Sequence, residues 1–235
     1  MNLTFINSFA ETYFKTGATP FNYQMGWNAG AHHRNRVLTK MRQCGADWFF
    51  SLEALSDALT TGRNQIFLGC CENNSSTNHA YITALLNQAG PELQKHVSSM
   101  SDYCLKLTNG AHIYFVDPES HCAALHGNVY ASEYAWADAP KSMIALAKSL
   151  SMHSRYHRTF YTTPSPIPEA WTEHKKLIAS NATCFMIFTA DDAAASGSVF
   201  FDDKWLNDMK KEHSAEQWQM LFMCEWPQAV QELQA

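Results

Sequence analysis

Between residues 48 and 59 the apolar positions fall at Trp48, Phe49, Leu52, Leu55 and Leu59, a spacing that predicts a helix with one buried face. Thr61-Gly62-Arg63-Asn64 is a stop and turn signal behind it. The same spacing returns at positions 143, 144, 146, 147 and 150, predicting a helix over Pro140–Met152. Asn78–Ala89 reads as a third helix after the polar punctuation NNSST. Between these segments lie short apolar runs of strand length: Arg36–Thr39, QIFLGCC at 65–71, NVYASEY at 128–134, RTFYTT ended by prolines, and Thr183–Thr189. CLKLTNGAHIYFV, residues 104–116, predicts two strands around the hairpin signal Asn109-Gly110. Residues 1–30 carry only weak helical periodicity.

Strands alternating with helices predict an α/β fold whose largely parallel sheet is covered on both faces, with the Asn109 hairpin as an antiparallel decoration. Ligands of such sheets bind beyond the carboxyl ends of the strands. That singles out the loops after Thr39, Cys71, Ala131 and Tyr161. Past Ala190 the texture changes to a small, acidic stretch and then one or two amphipathic helices ending near Trp226. The expected division is a domain over 1–190 and a helical segment over 191–235.

At 235 residues, 46% apolar and 17% charged, the chain can bury a real core. No apolar stretch approaches the length of a membrane span. The first residues lack a basic start followed by an apolar run, so no secretory signal is expected and a cytoplasmic setting is. Seven cysteines, with Cys70 and Cys71 adjacent and no C-x-x-C, read as reduced, mostly buried thiols. Eleven histidines converge on no metal-ligand spacing. With a net charge of −5, any nucleic-acid contact is confined to two local basic clusters. These are His32-His33-Arg34-Asn35-Arg36, with Lys40 and Arg42 beyond, and SRYHR at 154–158, which alone reads as solvated surface charge.

KMRQCGAD, residues 40–47, has the order of a phosphate loop: a strand, a basic turn with a glycine, then a helix. Such a loop works through backbone amides at a helix start, a lysine on the phosphates and a hydroxyl on magnesium. Lys40, Arg42, Gly45 and Ala46 supply the first parts, but Asp47 stands at the hydroxyl's place. The bland reading is an ordinary strand-turn-helix junction. The partner element is a strand ending in Asp-Glu, which hold the metal and polarise the attacking water. NVYASEY offers Glu133, with Ser132 where the Asp belongs.

Taken in order, these pieces resemble the ATPase domain of the tailed-phage terminase large subunit, of the cohesive-end temperate myophage type. The family's deviant loop reads Lys-x-Arg-Gln-x-Gly-Ala-Thr, against Lys40-Met41-Arg42-Gln43-Cys44-Gly45-Ala46-Asp47 here. HGNVYASEYAW is similar to its His-Gly-x-Val-Tyr-x-Asp-Glu-Tyr-x-Trp, YTTPSP to its coupling segment, and FNYQ to its adenine-reading element. The likeness spans about residues 20–226. It implies a three-layer, P-loop NTPase fold of the ASCE type, with ATP and Mg2+ as cofactors if the site is functional. It implies Lys40, Arg42 and Gln43 at the phosphates and Gly45 and Ala46 contributing amides. Tyr23 and Gln24 would lie at the base, Glu133 would be the catalytic carboxylate with Arg42 assisting, and Thr163 the sensor of the terminal phosphate. Asp47 and Ser132 are the metal-site positions.

The two departures leave two readings. In one the site is crippled, because Asp47 sets a negative charge beside the phosphates. In the other the roles are exchanged, with Asp47 binding magnesium and Ser132 orienting it. The first is the expectation, and with it a terminase-like protein that has no nuclease segment. Such a protein would act on packaging through terminase subunits or the portal, with self-association and at most weak DNA contact. A working ATPase with a separate nuclease is the alternative. A prophage remnant and a His/Cys metal protein are lesser ones.

Overall fold

The computed structural model describes residues 20–180, 182–198 and 200–232. Of the weakly periodic stretch 1–30, residues 1–19 lie outside these. After helix α1 (Asn22–Ala29) comes strand β1 (Asn35–Lys40), and helix α2 (Ala46–Thr61) leads to β2 (Gln65–Leu68). Helices α3 (Ser76–Ala89) and α4 (Pro91–Gln94) precede β3 (Val97–Ser101), β4 (Cys104–Leu107) and β5 (His112–Val116). The chain then runs through β6 (Asn128–Ser132), α5 (Pro140–Leu150), β7 (Arg158–Thr162), α6 (Pro168–Ile178) and β8 (Thr183–Phe188). It closes with α7 (Ala190–Ala195), α8 (Asp203–Glu212), α9 (Ala215–Leu221) and α10 (Gln228–Glu232).

The eight strands form one sheet in the order β3-β4-β5-β2-β6-β7-β1-β8. From β5 to β8 every pairing is parallel, and β3, β4 and β5 are joined antiparallel. The hairpin is therefore built into the sheet: β5 is paired to β2 along Gln65↔Ile113 to Leu68↔Val116. Strand β3 has no counterpart in the sequence reading. Its residues VSSMS are mostly exposed and show no apolar alternation, so only backbone pairing at the sheet edge marks it.

Alternation along the strands sorts side chains into two cores. Leu38, Phe67, Tyr130 and Tyr161 face one, with Phe49, Phe50, Leu52 and Leu55 of α2. Val37, Ile66, Leu68, Val129 and Phe160 face the other, with Met143 and Ile144 of α5. Three layers result, as expected. Each fully buried Phe or Leu of α2 contributes about 1.5–3 kcal/mol, so this helix is held chiefly by packing. Trp48 is half-buried, while Phe49 and Phe50 are core. The C-terminal segment also enters the cores: Phe201, Trp218, Leu221 and Phe222 join the first and Trp226 and Val230 the second.

Two readings of surface character need correction. Arg36, counted in a basic cluster, is 2% exposed and forms a buried ion pair with Glu53. Of the seven thiols only Cys44, Cys122 and Cys224 are buried, and Cys71 is exposed. No helix among the described residues is long and apolar enough to cross a membrane.

Candidate nucleotide site

Strand β1 lies between β7 and β8, and β7 separates it from β6. The loop after Lys40 and the end of β6 therefore open on the same edge of the sheet, one strand apart. The Thr39↔Thr162 and Ser132↔Tyr161 registers bring the three strand ends level. The loop turns twice through left-handed backbone, at Gln43 (φ 60°) and Gly45 (φ 72°), before α2 begins at Ala46. Glycine takes the second turn without strain. The Gln43, Cys44 and Gly45 amides have no partner among the described residues, so a helix start with spare donors faces the site.

The loop is held from behind. Gln24, fully buried, donates from Nε2 to the carbonyls of Cys44 (3.4 Å) and Gly45 (3.2 Å), and its Oε1 accepts from the Phe21 amide. Tyr23 donates to the Cys44 carbonyl at 3.2 Å and stacks on Phe188, with ring centroids 4.4 Å apart. Both side chains meet the loop, and their polar ends are spent on its backbone. The C-terminal segment holds it as well: the Arg42 amide donates to the Leu221 carbonyl at 3.0 Å. Arg42 itself is exposed, its guanidinium 5.3 Å from the Trp136 ring. Burial, with lesser contributions from neighbours, pushes the Cys44 thiol up to about 12, so it stays neutral.

Opposite the loop stands Glu133, in the left-handed region (φ 50°), where a residue with a side chain costs about 1 kcal/mol or more. That turn sends the carboxylate back across the sheet edge. Its Oε1 pairs with Lys40 Nζ, and its Oε2 accepts from the Thr163 amide at 2.9 Å and the Thr162 hydroxyl at 3.4 Å. Lys40 also donates to Thr163 Oγ1 at 3.3 Å. Burial alone would lower the Lys40 ammonium, but the Glu133 carboxylate, with Asp47 adding, holds it above its ordinary value. The lysine is charged and its carboxylate partner neutralised by it.

Asp47 and Ser132 also meet. Asp47 Oδ1 accepts from Ser132 Oγ at 3.2 Å and from Tyr161 OH at 2.7 Å. Asn78 of α3 donates to the Asp47 carbonyl at 3.2 Å and to Ser51 Oγ at 3.1 Å, tying the start of α2 to its neighbour. Two hydrogen-bonded groups therefore sit at the loop: Lys40 with Glu133 and Thr163, and Asp47 with Ser132 and Tyr161. Sequence reasoning passed over Tyr161, Thr162 and Asn78. Tyr161 and Thr162 stand inside the quoted YTTPSP, and only the sheet register shows that Tyr161 points at Asp47.

The donors fit a phosphate group: a helix start with spare amides, a buried charged lysine and an exposed arginine. For magnesium the set is one carboxylate, Asp47, and one hydroxyl, Ser132. Both types are oxygen ligands suited to that ion. The ion would supply charge neutralisation at the phosphates.

A parallel-sheet phosphate loop of this topology, with an inserted strand between loop strand and acidic strand, defines the P-loop NTPase class. Residues 37–230 match the family described as terminase large subunit, T4likevirus-type, N-terminal. The chain belongs to that family. It is 29% identical to the terminase, ATPase subunit, of Escherichia phage P2 over 88% of this chain and 38% of that protein. It is 32% identical to the probable terminase, ATPase subunit, of Haemophilus phage HP1 over 62% of this chain and 23% of that one. The chain thus spans well under half the length of these relatives. In fold it is similar to the large terminase of bacteriophage HK97, with TM-score 0.77 and 11% identity over 96% of this chain and 55% of that one. It is likewise similar to the large terminase ATPase domain of Thermus phage P74-26, with TM-score 0.66 and 11% identity over 94% and 98% of the two chains. A third similar structure is the large terminase of a thermophilic bacteriophage in complex with ADP, with TM-score 0.67 and 13% identity over 88% and 54%.

Proposed function

We propose that this chain serves phage DNA packaging as a terminase-type ATPase domain with a crippled hydrolytic site, acting through contact with terminase subunits or the portal in the host cytoplasm. One observation carries the weak-hydrolysis reading: Asp47, in the first turn of α2, is fixed by Tyr161 and Ser132 beside the spare loop amides. A carboxylate there occupies the positive end of the helix dipole that phosphates would use. Lys40 is meanwhile committed to Glu133, the group that would activate water. ATP is held weakly and turned over slowly, and what the domain contributes is its surface.

Nucleotide titration with and without magnesium, together with phosphate release, tests this. Robust turnover that Glu133→Gln abolishes overturns it. A pull-down against the large subunit, small subunit and portal of a related phage tests the partner half, and binding to none of them ends it.

A specific contact favours a second reading. Asp47 and Ser132 keep the carboxylate–hydroxyl pair of a metal site in direct contact with its places reversed. If Asp47 binds magnesium and Ser132 orients the ion, the domain is a working ATPase with a rebuilt ion seat.

A further inference from the structure

Strand β2 ends at Leu68 on the same edge of the sheet as Glu133, and the next turn carries Cys70 and Cys71. The nucleotide site uses neither thiol. Their Sγ atoms are 3.8 Å apart, Cys70 half-buried and Cys71 exposed. The pair lines an open cleft with Glu72, Asp117, Glu119 and Asp138. Both are free thiols.

We propose that Cys70 and Cys71 are a redox-modification site that a small peroxide closes into a vicinal disulfide. Cys71, open to solvent, reacts first. Its thiolate attacks one peroxide oxygen and breaks the O–O bond, leaving a sulfenic acid on Cys71 and releasing water once the departing oxygen is protonated. The Cys70 thiolate then attacks the Cys71 sulfur, and the sulfenic oxygen leaves as a second water. Two thiol hydrogens and two electrons have passed to the peroxide. Burial first, and Cys71 next, push the Cys70 thiol up to about 12, so the closing step quickens in mildly alkaline buffer. Neighbouring Cα atoms lie about 3.8 Å apart, below the roughly 4.4–6.8 Å span of ordinary disulfides, so the ring is strained and readily reduced.

The turn is placed to report closure elsewhere. A Cβ on Gly69 would meet Asn74 and Ser75 at 2.8 Å, so the backbone here has little slack. The Cys70 amide donates to Asn74 Oδ1 at 3.2 Å, and the Asn74 amide to the Cys71 carbonyl at 3.1 Å. Asn78, one turn on, holds the Asp47 carbonyl. Ring closure re-sets the backbone at 70 and 71 and strains this chain of contacts toward α2.

The folded protein is exposed to hydrogen peroxide and then unfolded in denaturant, its remaining thiols are alkylated, and intact and peptide masses are read. The expected product lacks two hydrogens, carries five alkyl groups, has its disulfide in the 70–71 peptide, and reverts with dithiothreitol. In Cys71→Ser the product is absent. Hydrogen exchange over residues 69–78 changes on oxidation in the parent and not in Cys71→Ser. Three results overturn the proposal: Cys71 driven to sulfinic acid while Cys70 alkylates freely, a disulfide to another cysteine, or no oxidation at 70–71. None of these readouts depends on whether nucleotide binds.

Discussion

Asp47→Asn separates the two readings of the ion seat. The amide keeps an Oδ1 that accepts from Tyr161 and Ser132, so the packing at the head of α2 is preserved and only the charge is removed. A carboxylate and a phosphate oxygen about 5–6 Å apart repel by about 1 kcal/mol at the dielectric of water and about 3 kcal/mol at an effective value of about 20. Asp47 is half-buried at the rim of the loop, which places the effect toward the lower figure. The crippled-site reading therefore expects Asp47→Asn to tighten ATP about five-fold in EDTA, since about 1.4 kcal/mol is a factor of ten. Titration with a fluorescent ATP analogue, in EDTA and in magnesium, measures this. Unchanged affinity in EDTA together with loss of magnesium-dependent binding refutes the reasoning, because Asp47 would then be the ligand of the ion.

Glu53→Gln tests the buried pair beneath the sheet. Glu53 accepts from Arg36, Asn28 and Tyr130, and the substitution strands a buried guanidinium, for an expected loss of about 3–5 kcal/mol in urea unfolding. Gly45→Ala forces a side chain into left-handed backbone (φ 72°) with its Cβ 2.9 Å from Gln24 Nε2. It should cost about 1–2 kcal/mol and weaken ATP binding, read by thermal shift and titration. His174 accepts or donates at Tyr134 OH (2.8 Å), and its burial lowers the imidazole from 6.5 to about 4. The folded state then binds fewer protons than the unfolded chain between these values. Stability present above pH 6.5 falls as pH drops toward 4, by about 3 kcal/mol at most. His174→Gln, measured by urea unfolding across that range, should flatten the slope.

The central strands were legible because each is a short, nearly continuous apolar run between turn residues, as buried parallel strands are. Helix α2 was legible from its spacing, although the structure extends it to Ala46–Thr61 beyond the predicted 48–59. Strand β3 was not, since VSSMS has neither alternation nor β-branched density beyond Val97. Arg36 was misread because charge in a run suggests surface, and the residue that neutralises it, Glu53, lies 17 positions away on α2. Within the site, Lys40, Glu133, Thr163, Asp47 and Ser132 were named through the motifs' resemblance to the terminase family, and the structure brings Lys40 to Glu133 and Thr163 and Asp47 to Ser132. Gln24 was assigned toward a base, whereas its amide is spent on the loop's own carbonyls.

On the crippled-site reading, a reversed carboxylate–hydroxyl pair is close to neutral for the fold and far from neutral for the chemistry. In the first turn of α2 an acid gains from the helix dipole, and a serine at the end of β6 buries no charge. Tyr161 adds a donor that fixes the acid, so nothing in stability opposes the exchange. Function weighs it differently. A carboxylate at the end of β6 would sit on the strand rather than on the helix that carries the loop amides. A carboxylate on α2, in the first turn, adds negative charge at the helix end that phosphates would use. Lys40, shared by Glu133 and Thr163, is the buried cation at the loop available to offset that charge. Adding Ser132→Asp to Asp47→Thr returns the pair to the usual order. If hydrolysis rises in that double variant while neither single substitution raises it, the position of one charge, and not decay of the whole site, is what holds the parent chain back.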